Sequence, residues 1–125
     1  MSHFSIRIVY ADDDDLVRGT VSALLRCSGL DVHDCRDGSE AMDLCRALHP
    51  VAALLDLNMP DCDGFTAARR LRADPDTHDI RLVALTGLAV DSNIERAIAC
   101  GFDVVLTKPT SVERIVEALT AQCSD

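Results

Sequence analysis

The chain has 125 residues, 48% of them apolar, which is enough to bury one core and too little for two ordinary domains. Its 21 acidic residues against 12 basic ones give a formal net charge of −9, which argues against direct binding to nucleic acid or to an anionic membrane surface. No apolar run approaches the roughly 20 residues of a membrane-spanning helix, and residues 1–10 lack the layout of a cleavable signal, so one soluble, cytoplasmic domain over residues 1–125 is expected.

The first strand-length apolar run is Ile6 to Tyr10, followed by Val17, Val21, Leu24 and Leu25 at a spacing that places them on one face of a helix. Gly29 is placed to close that helix in a left-handed conformation. Asp31 to Cys35 forms a second strand, and Asp37 with Glu40 is a capping pair that opens a second helix. Val51 to Leu55 is the third strand. Ala67, Ala68 and Leu71 mark a third helix that Pro75 limits, leaving Asp74 to Asp79 as a polar loop. Leu82 to Leu85 is the fourth strand, Ser92 with Glu95 is expected to cap the fourth helix, and Gly101 to end it. Val104 to Leu106 is the fifth strand, and Thr110 with Glu113 is expected to open a last helix whose buried face holds Val112, Ile115, Val116 and Leu119.

Five-fold alternation of strand and helix, with near-continuous apolar strands, predicts a doubly wound α/β fold: a five-stranded parallel sheet covered by five helices on both faces. The Asp31 to Cys35 strand is the least apolar and is expected at an edge. Cysteines occur at 27, 35, 45, 62, 100 and 123 with no C-x-x-C pair, and read as buried, free thiols in a reducing compartment.

In such sheets functional groups gather beyond the carboxyl ends of the strands. Those ends carry Asp12 to Asp15, Asp56, Thr86 with Gly87, and Lys108 with Pro109. Carboxylates brought together repel one another unless a cation sits among them, and an all-oxygen set selects Mg²⁺, with Mn²⁺ or Ca²⁺ as alternatives, over zinc. A carboxylate beside such an ion can attack phosphorus and form an acyl phosphate, with Lys108 and the Thr86 hydroxyl binding the phosphoryl oxygens. Asp14 and Asp15 are adequately explained as favourable charge at a helix start, and Asp61 and Asp63 as turn residues. His3, His33, His49 and His78 have no metal-binding spacing and are expected to be solvated.

Taken together, Asp12 and Asp13 ahead of Arg18, the run Leu54-Leu55-Asp56-Leu57-Asn58-Met59-Pro60 with Asp63-Gly64, Ala84-Leu85-Thr86-Gly87, and Lys108-Pro109 resemble response-regulator receiver domains over the whole chain. The resemblance implies a flavodoxin-like strand order of 2-1-3-4-5. It implies Asp56 as phospho-acceptor, Asp13 and Asp56 as direct Mg²⁺ ligands, the Asn58 backbone carbonyl as a third, and Asp12 acting mainly through water, with Mn²⁺ as a substitute ion. The implied partner is a sensor histidine kinase or a histidine phosphotransfer protein, with a phosphorylation-dependent homodimer allowed, and the only catalysis is of the domain's own phosphorylation and dephosphorylation. The chain leaves open a free-standing regulator, a relay intermediate or a module of a longer protein.

The sequence departs from the family at Val105, where an aromatic switch residue is usual, and mildly at Asp15, Cys62 and Gly87. The signal is therefore expected in the segment from Gly87 to Ala97, and Leu88, unable to orient water, implies slow loss of the phosphoryl group. Two other readings are an Asp-nucleophile Mg²⁺ phosphohydrolase built on Asp12-Asp13-Asp14, which leaves Asp56 and Lys108 without a role, and a pseudo-receiver, which predicts loss of a site residue.

Overall fold

A computed structural model describes residues 6–59, 63–87 and 90–121. Its strands are β1 (Arg7–Ala11), β2 (Asp31–Cys35), β3 (Ala52–Asp56), β4 (Arg81–Thr86) and β5 (Val104–Thr107), each followed by a helix. These helices are α1 (Asp15–Cys27), α2 (Gly38–Leu48), α3 (Gly64–Ala73), α4 (Asp91–Cys100) and α5 (Val112–Thr120). All pairings are parallel and the order is β2-β1-β3-β4-β5, with β2 at an edge as its polarity predicts. Because the chain leaves β1 toward β2 and returns to β3 on the other side, a crevice opens beyond the ends of β1 and β3.

Side chains alternate between two apolar layers. Val9, Ala11, Ala53, Leu55, Leu82 and Ala84 face α2, α3 and α4, where Met42, Phe65, Leu71 and Ala97 cover them. Ile8, Tyr10, Leu54, Val83 and Leu85 face α1 and α5 against Leu25, Ile115 and Leu119. Every residue of β3 is buried, and each of Leu54 and Leu55 contributes roughly 1.5–3 kcal/mol by leaving water. The floor beneath the crevice is therefore rigid.

Local signals differ from expectation in several places. On α1 the fully buried residues are Ser22 and Leu25, while Val17 and Leu24 are exposed. Ser22 is tolerated inside because its hydroxyl donates to Asp34 Oδ2 at 2.6 Å. Asp37 caps α2 as expected, accepting from the Glu40 N–H, but the Glu40 carboxylate reaches the Arg36 N–H and not that of Asp37. Ser92 does not cap α4: the capping position is Val90, which offers no side-chain acceptor, and Ser92 lies within the first turn. Thr110 does not cap α5; Ser111, one residue on, accepts from the Arg114 N–H. Gly29 and Gly101 close α1 and α4 at φ 94° and 111°.

Cys27 is exposed, contrary to expectation, whereas Cys35, Cys45 and Cys100 are buried free thiols; Cys62 and Cys123 lie outside the described residues. Burial pushes the Cys35 and Cys45 thiols up to about 12, which keeps them protonated and inert. His33 is half-buried, with Nε2 3.1 Å from Asp31 Oδ1, while His49 and His78 are exposed and His3 lies outside the described residues.

Arg72 fastens the far end of the fold. Its guanidinium donates to the carbonyls of Gly101, His78 and Ile80 and to Asp103 Oδ2 at 2.6–2.9 Å, joining the end of α3 to the end of α4 and the start of β5. Among the described residues no helix is long and apolar enough to cross a membrane.

Candidate functional site

β1 delivers Asp12 and Asp13 to the crevice one and two residues after Ala11, while β3 delivers Asp56 as its last residue. One carboxylate oxygen from each of Asp12, Asp13 and Asp56 can be chosen such that all lie within 4.8 Å of one another. Asp12 and Asp56 are buried and Asp13 is exposed, so the cluster has a dry floor and an open mouth. Lys108, at the end of β5, places Nζ 2.9 Å from Asp56 Oδ2 and 3.8 Å from Asp12 Oδ2. The Lys108 N–H donates to the Thr86 carbonyl, and the peptide bond to Pro109 is cis.

Each acid is held in place. Asp56 Oδ1 accepts from the Asn58 N–H at 2.9 Å, and the Leu57 N–H donates to the Leu85 carbonyl, which carries the β3–β4 ladder one residue beyond the strand. Asp12 Oδ1 accepts from the Asp14 N–H at 3.0 Å, while Arg18 Nη1 donates to the Asp12 carbonyl at 2.9 Å. Asp14 caps α1 through the Leu16 and Val17 N–H groups, and Asp15 pairs with Arg18, so both have the structural roles expected of them. Asp63 caps α3 through the Thr66 N–H; Asp61 lies outside the described residues.

The electrostatics follow from burial. Desolvation raises the Asp56 carboxyl above its ordinary value, opposed by Lys108 and the Asn58 N–H. Burial by itself lowers Lys108, but its bond to Asp56 and the charges of Asp56, Asp12 and Asp13 outweigh this and hold the ammonium above its ordinary value. Three carboxylates facing one ammonium leave an excess of negative charge around the cluster. A hard divalent cation with few protein ligands fits that charge and that all-oxygen donor set.

Thr86 ends β4 fully buried, and Val105 is half-buried against the α2–α4 layer. Asn58 and Gly87 are exposed at the rim, and Leu88 lies outside the described residues. The strand-end residues named from sequence thus converge on one crevice. One neighbour was missed. Tyr10 donates its hydroxyl to Asp12 Oδ2 at 2.9 Å, a contact that the shared face of positions 10 and 12 could have suggested. Burial, and then the charge of Asp12, push that phenol far above its ordinary value, which keeps it a donor. Gly64 packs so closely that a Cβ there would stand 2.6 Å from the Asp56 carbonyl oxygen.

Comparison with known proteins places this geometry. The family model described as the response regulator receiver domain matches residues 8–120. The DNA-binding dual master transcriptional regulator RpaA of Synechocystis is 37% identical over 115 residues, which cover 92% of this chain and 48% of that protein. The chain therefore spans about half the length of that relative. The polar-differentiation response regulator DivK of Brucella ovis is 29% identical, with 94% of this chain and 96% of that one covered. Among solved structures, the receiver domain of the Pseudomonas aeruginosa sensor histidine kinase PA1611, with a magnesium ion coordinated in its active-site cleft, superimposes with a TM-score of 0.89 at 24% identity, covering 98% of this chain and all of that one. The Vibrio cholerae chemotaxis protein CheY4 gives 0.88 at 24% identity, covering 94% and 98%. With the match running from the first strand to the last helix, the chain belongs to the response regulator receiver domains, the signalling modules of two-component systems.

Proposed function

We propose that Asp56 accepts a phosphoryl group from a phosphohistidine on a sensor kinase or phosphotransfer protein. The observation that carries this reading is a buried carboxylate on a rigid strand end, flanked by two further carboxylates and gripped by one lysine. Asp13 and Asp56, with the Asn58 carbonyl, would hold Mg²⁺ directly and Asp12 through water; Mn²⁺ is an acceptable substitute. When bound, the ion screens the incoming phosphoryl charge.

The protein's own groups account for the remaining chemistry. An Asp56 carboxylate oxygen attacks phosphorus, a new O–P bond forms as the N–P bond to the donor imidazole breaks, and the imidazole departs with the bonding pair and takes up a proton. Lys108 then transfers its hydrogen bond from Asp56 to a phosphoryl oxygen, and the Thr86 hydroxyl supplies a second donor. Catalysis is confined to the domain's own phosphorylation and to hydrolysis of that acyl phosphate. The net charge of −9 favours protein partners in the cytoplasm over nucleic acid or membrane, and a phosphorylation-dependent homodimer is one such partner. With Val105 too short and stiff to swing between two positions, the new state is read out from Gly87 to Ala97.

Mass spectrometry after incubation with a small phosphodonor and Mg²⁺ tests the assignment. One alkali-labile phosphoryl group is expected on the wild-type chain and none on Asp56→Asn; full modification of the variant refutes Asp56.

A further inference from the structure

The Asp12 carboxylate is fully buried and each of its oxygens already accepts a hydrogen bond, Oδ1 from the Asp14 N–H at 3.0 Å and Oδ2 from the Tyr10 hydroxyl at 2.9 Å. The backbone donor comes with the turn, whereas the phenol is a choice of side chain. The rest of the Tyr10 ring is packed among Ile8, Leu25, Leu54, Leu85 and Ile115 in the layer facing α1 and α5, with no exposed surface, so the hydroxyl cannot swing away. A hydroxyl delivered on a locked ring fixes both the position and the plane of the carboxylate it touches. It also occupies the oxygen that faces Lys108, which lies 3.8 Å away.

From this arrangement we infer that Tyr10 is a positioning residue for the divalent cation, acting through Asp12. It holds that carboxylate back as an acceptor for the ion's water and so favours Mg²⁺ over Ca²⁺. This role rests on the proposed metal site and extends it. Mg²⁺ keeps several waters in a strict octahedron, and a fixed acceptor that takes a hydrogen bond from one of those waters supports that shell. Ca²⁺ prefers more direct and often bidentate carboxylate ligands, which a carboxylate bonded to a phenol and a peptide N–H supplies poorly. Removing the phenolic hydroxyl frees Oδ2 to rotate, weakening the first ion and improving the second.

Tyr10→Phe removes the hydroxyl and keeps the ring. Hydrogen-bond partners of direct metal ligands commonly matter by about 10–100-fold in affinity; Tyr10 acts one step further out, through Asp12 and a water, so the variant should bind Mg²⁺ a few-fold more weakly. Calorimetric titration should show the Mg²⁺ to Ca²⁺ affinity ratio falling by at least that factor, and the phosphorylation rate should suffer more in its half-saturating Mg²⁺ concentration than in its plateau. In an Asp12→Ala background the same substitution should change Mg²⁺ affinity little, since the residue through which it acts is gone.

The wild-type chain provides a test that needs no variant. It has one tyrosine and no tryptophan, so emission excited in the tyrosine band reports on Tyr10 alone and should change in intensity as Mg²⁺ is added. An unchanged Mg²⁺ to Ca²⁺ ratio in a folded Tyr10→Phe protein overturns the inference while leaving the metal site standing, as does tyrosine emission blind to Mg²⁺ that calorimetry shows to bind. A wild-type chain that binds no Mg²⁺ overturns both.

Discussion

Gly64 gives the sharpest test of how closely the phospho-acceptor is packed. It opens α3 directly against the end of β3, and an ideal Cβ at this position would lie 2.6 Å from the Asp56 carbonyl oxygen, 3.1 Å from Leu57 Cα and 3.2 Å from the Asp56 carbonyl carbon. All three are backbone atoms, so no side chain can swing aside. Restoring an ordinary contact of about 3.4 Å requires α3 or the Asp56 peptide to move by about 0.8 Å. Overpacking of this kind costs about 1–3 kcal/mol, and at the first position of α3 the preference for Ala over Gly, worth about 1 kcal/mol in a helix interior, offsets only part of it. The effect on chemistry should be larger, because a misplacement of about 1 Å can cost on the order of 100-fold in a reaction that depends on alignment. Gly64→Ala is therefore expected to unfold at slightly lower urea concentration and to accept phosphoryl groups from a small donor at least about tenfold more slowly. Gly19 is the control: nothing lies within 4 Å of its Cβ position on α1, so Gly19→Ala should gain about 1 kcal/mol and leave the rate unchanged. Phosphorylation of Gly64→Ala at the wild-type rate would refute the close packing as a constraint on the chemistry.

Asp56→Asn should alter the pH dependence of stability. A carboxyl raised by burial stabilises the fold while protonated and loses that contribution as pH climbs through its folded value, so in Mg²⁺-free buffer the variant should gain on wild type as pH rises above the ordinary carboxylate range; parallel denaturation curves across that range would contradict this. Val90→Asn should stabilise α4 by about 1 kcal/mol, since Val is among the poorest capping residues, and amide exchange in residues 91–94 should slow; unaltered exchange would show that the missing cap costs nothing. On phosphorylation, chemical-shift changes should centre on Gly87 to Ala97, stay small at Val105 and shrink in Thr86→Ala while Asp56 is still modified; a maximum at Val105 would restore a switch at that residue.

The sheet was legible because burial on both faces demands uninterrupted apolar strands, and the runs at Ile6, Val51 and Leu82 could be nothing else at that length. The acidic site was legible because a carboxylate that ends such a run, as Asp56 does, is costly to bury unless a cation or a donor meets it. Capping was less so: Ser92 and Thr110 satisfy the spacing of a box, yet the helices begin one or two residues away from where each requires, and so small a shift in a loop leaves no trace in the pattern. Arg72 was unreadable for a different reason: its guanidinium meets partners fixed by the assembled fold, two of them 29 and 31 residues away.

The two ends of α4 are held very differently. One is closed by Gly101 and bolted by Arg72 to α3 and to the Asp103 carboxylate, which also receives the Leu82 N–H; the other begins at Val90 with no side-chain cap. A helix so mounted is a lever with its fulcrum remote from the phosphorylation crevice. Ten residues span about 15 Å, so a tilt of roughly 10° carries the near end through about 2.5 Å while the bolted end scarcely stirs. A partner that grips the first turn of α4 would sense the whole stroke, whereas one that grips Cys100 would sense almost none.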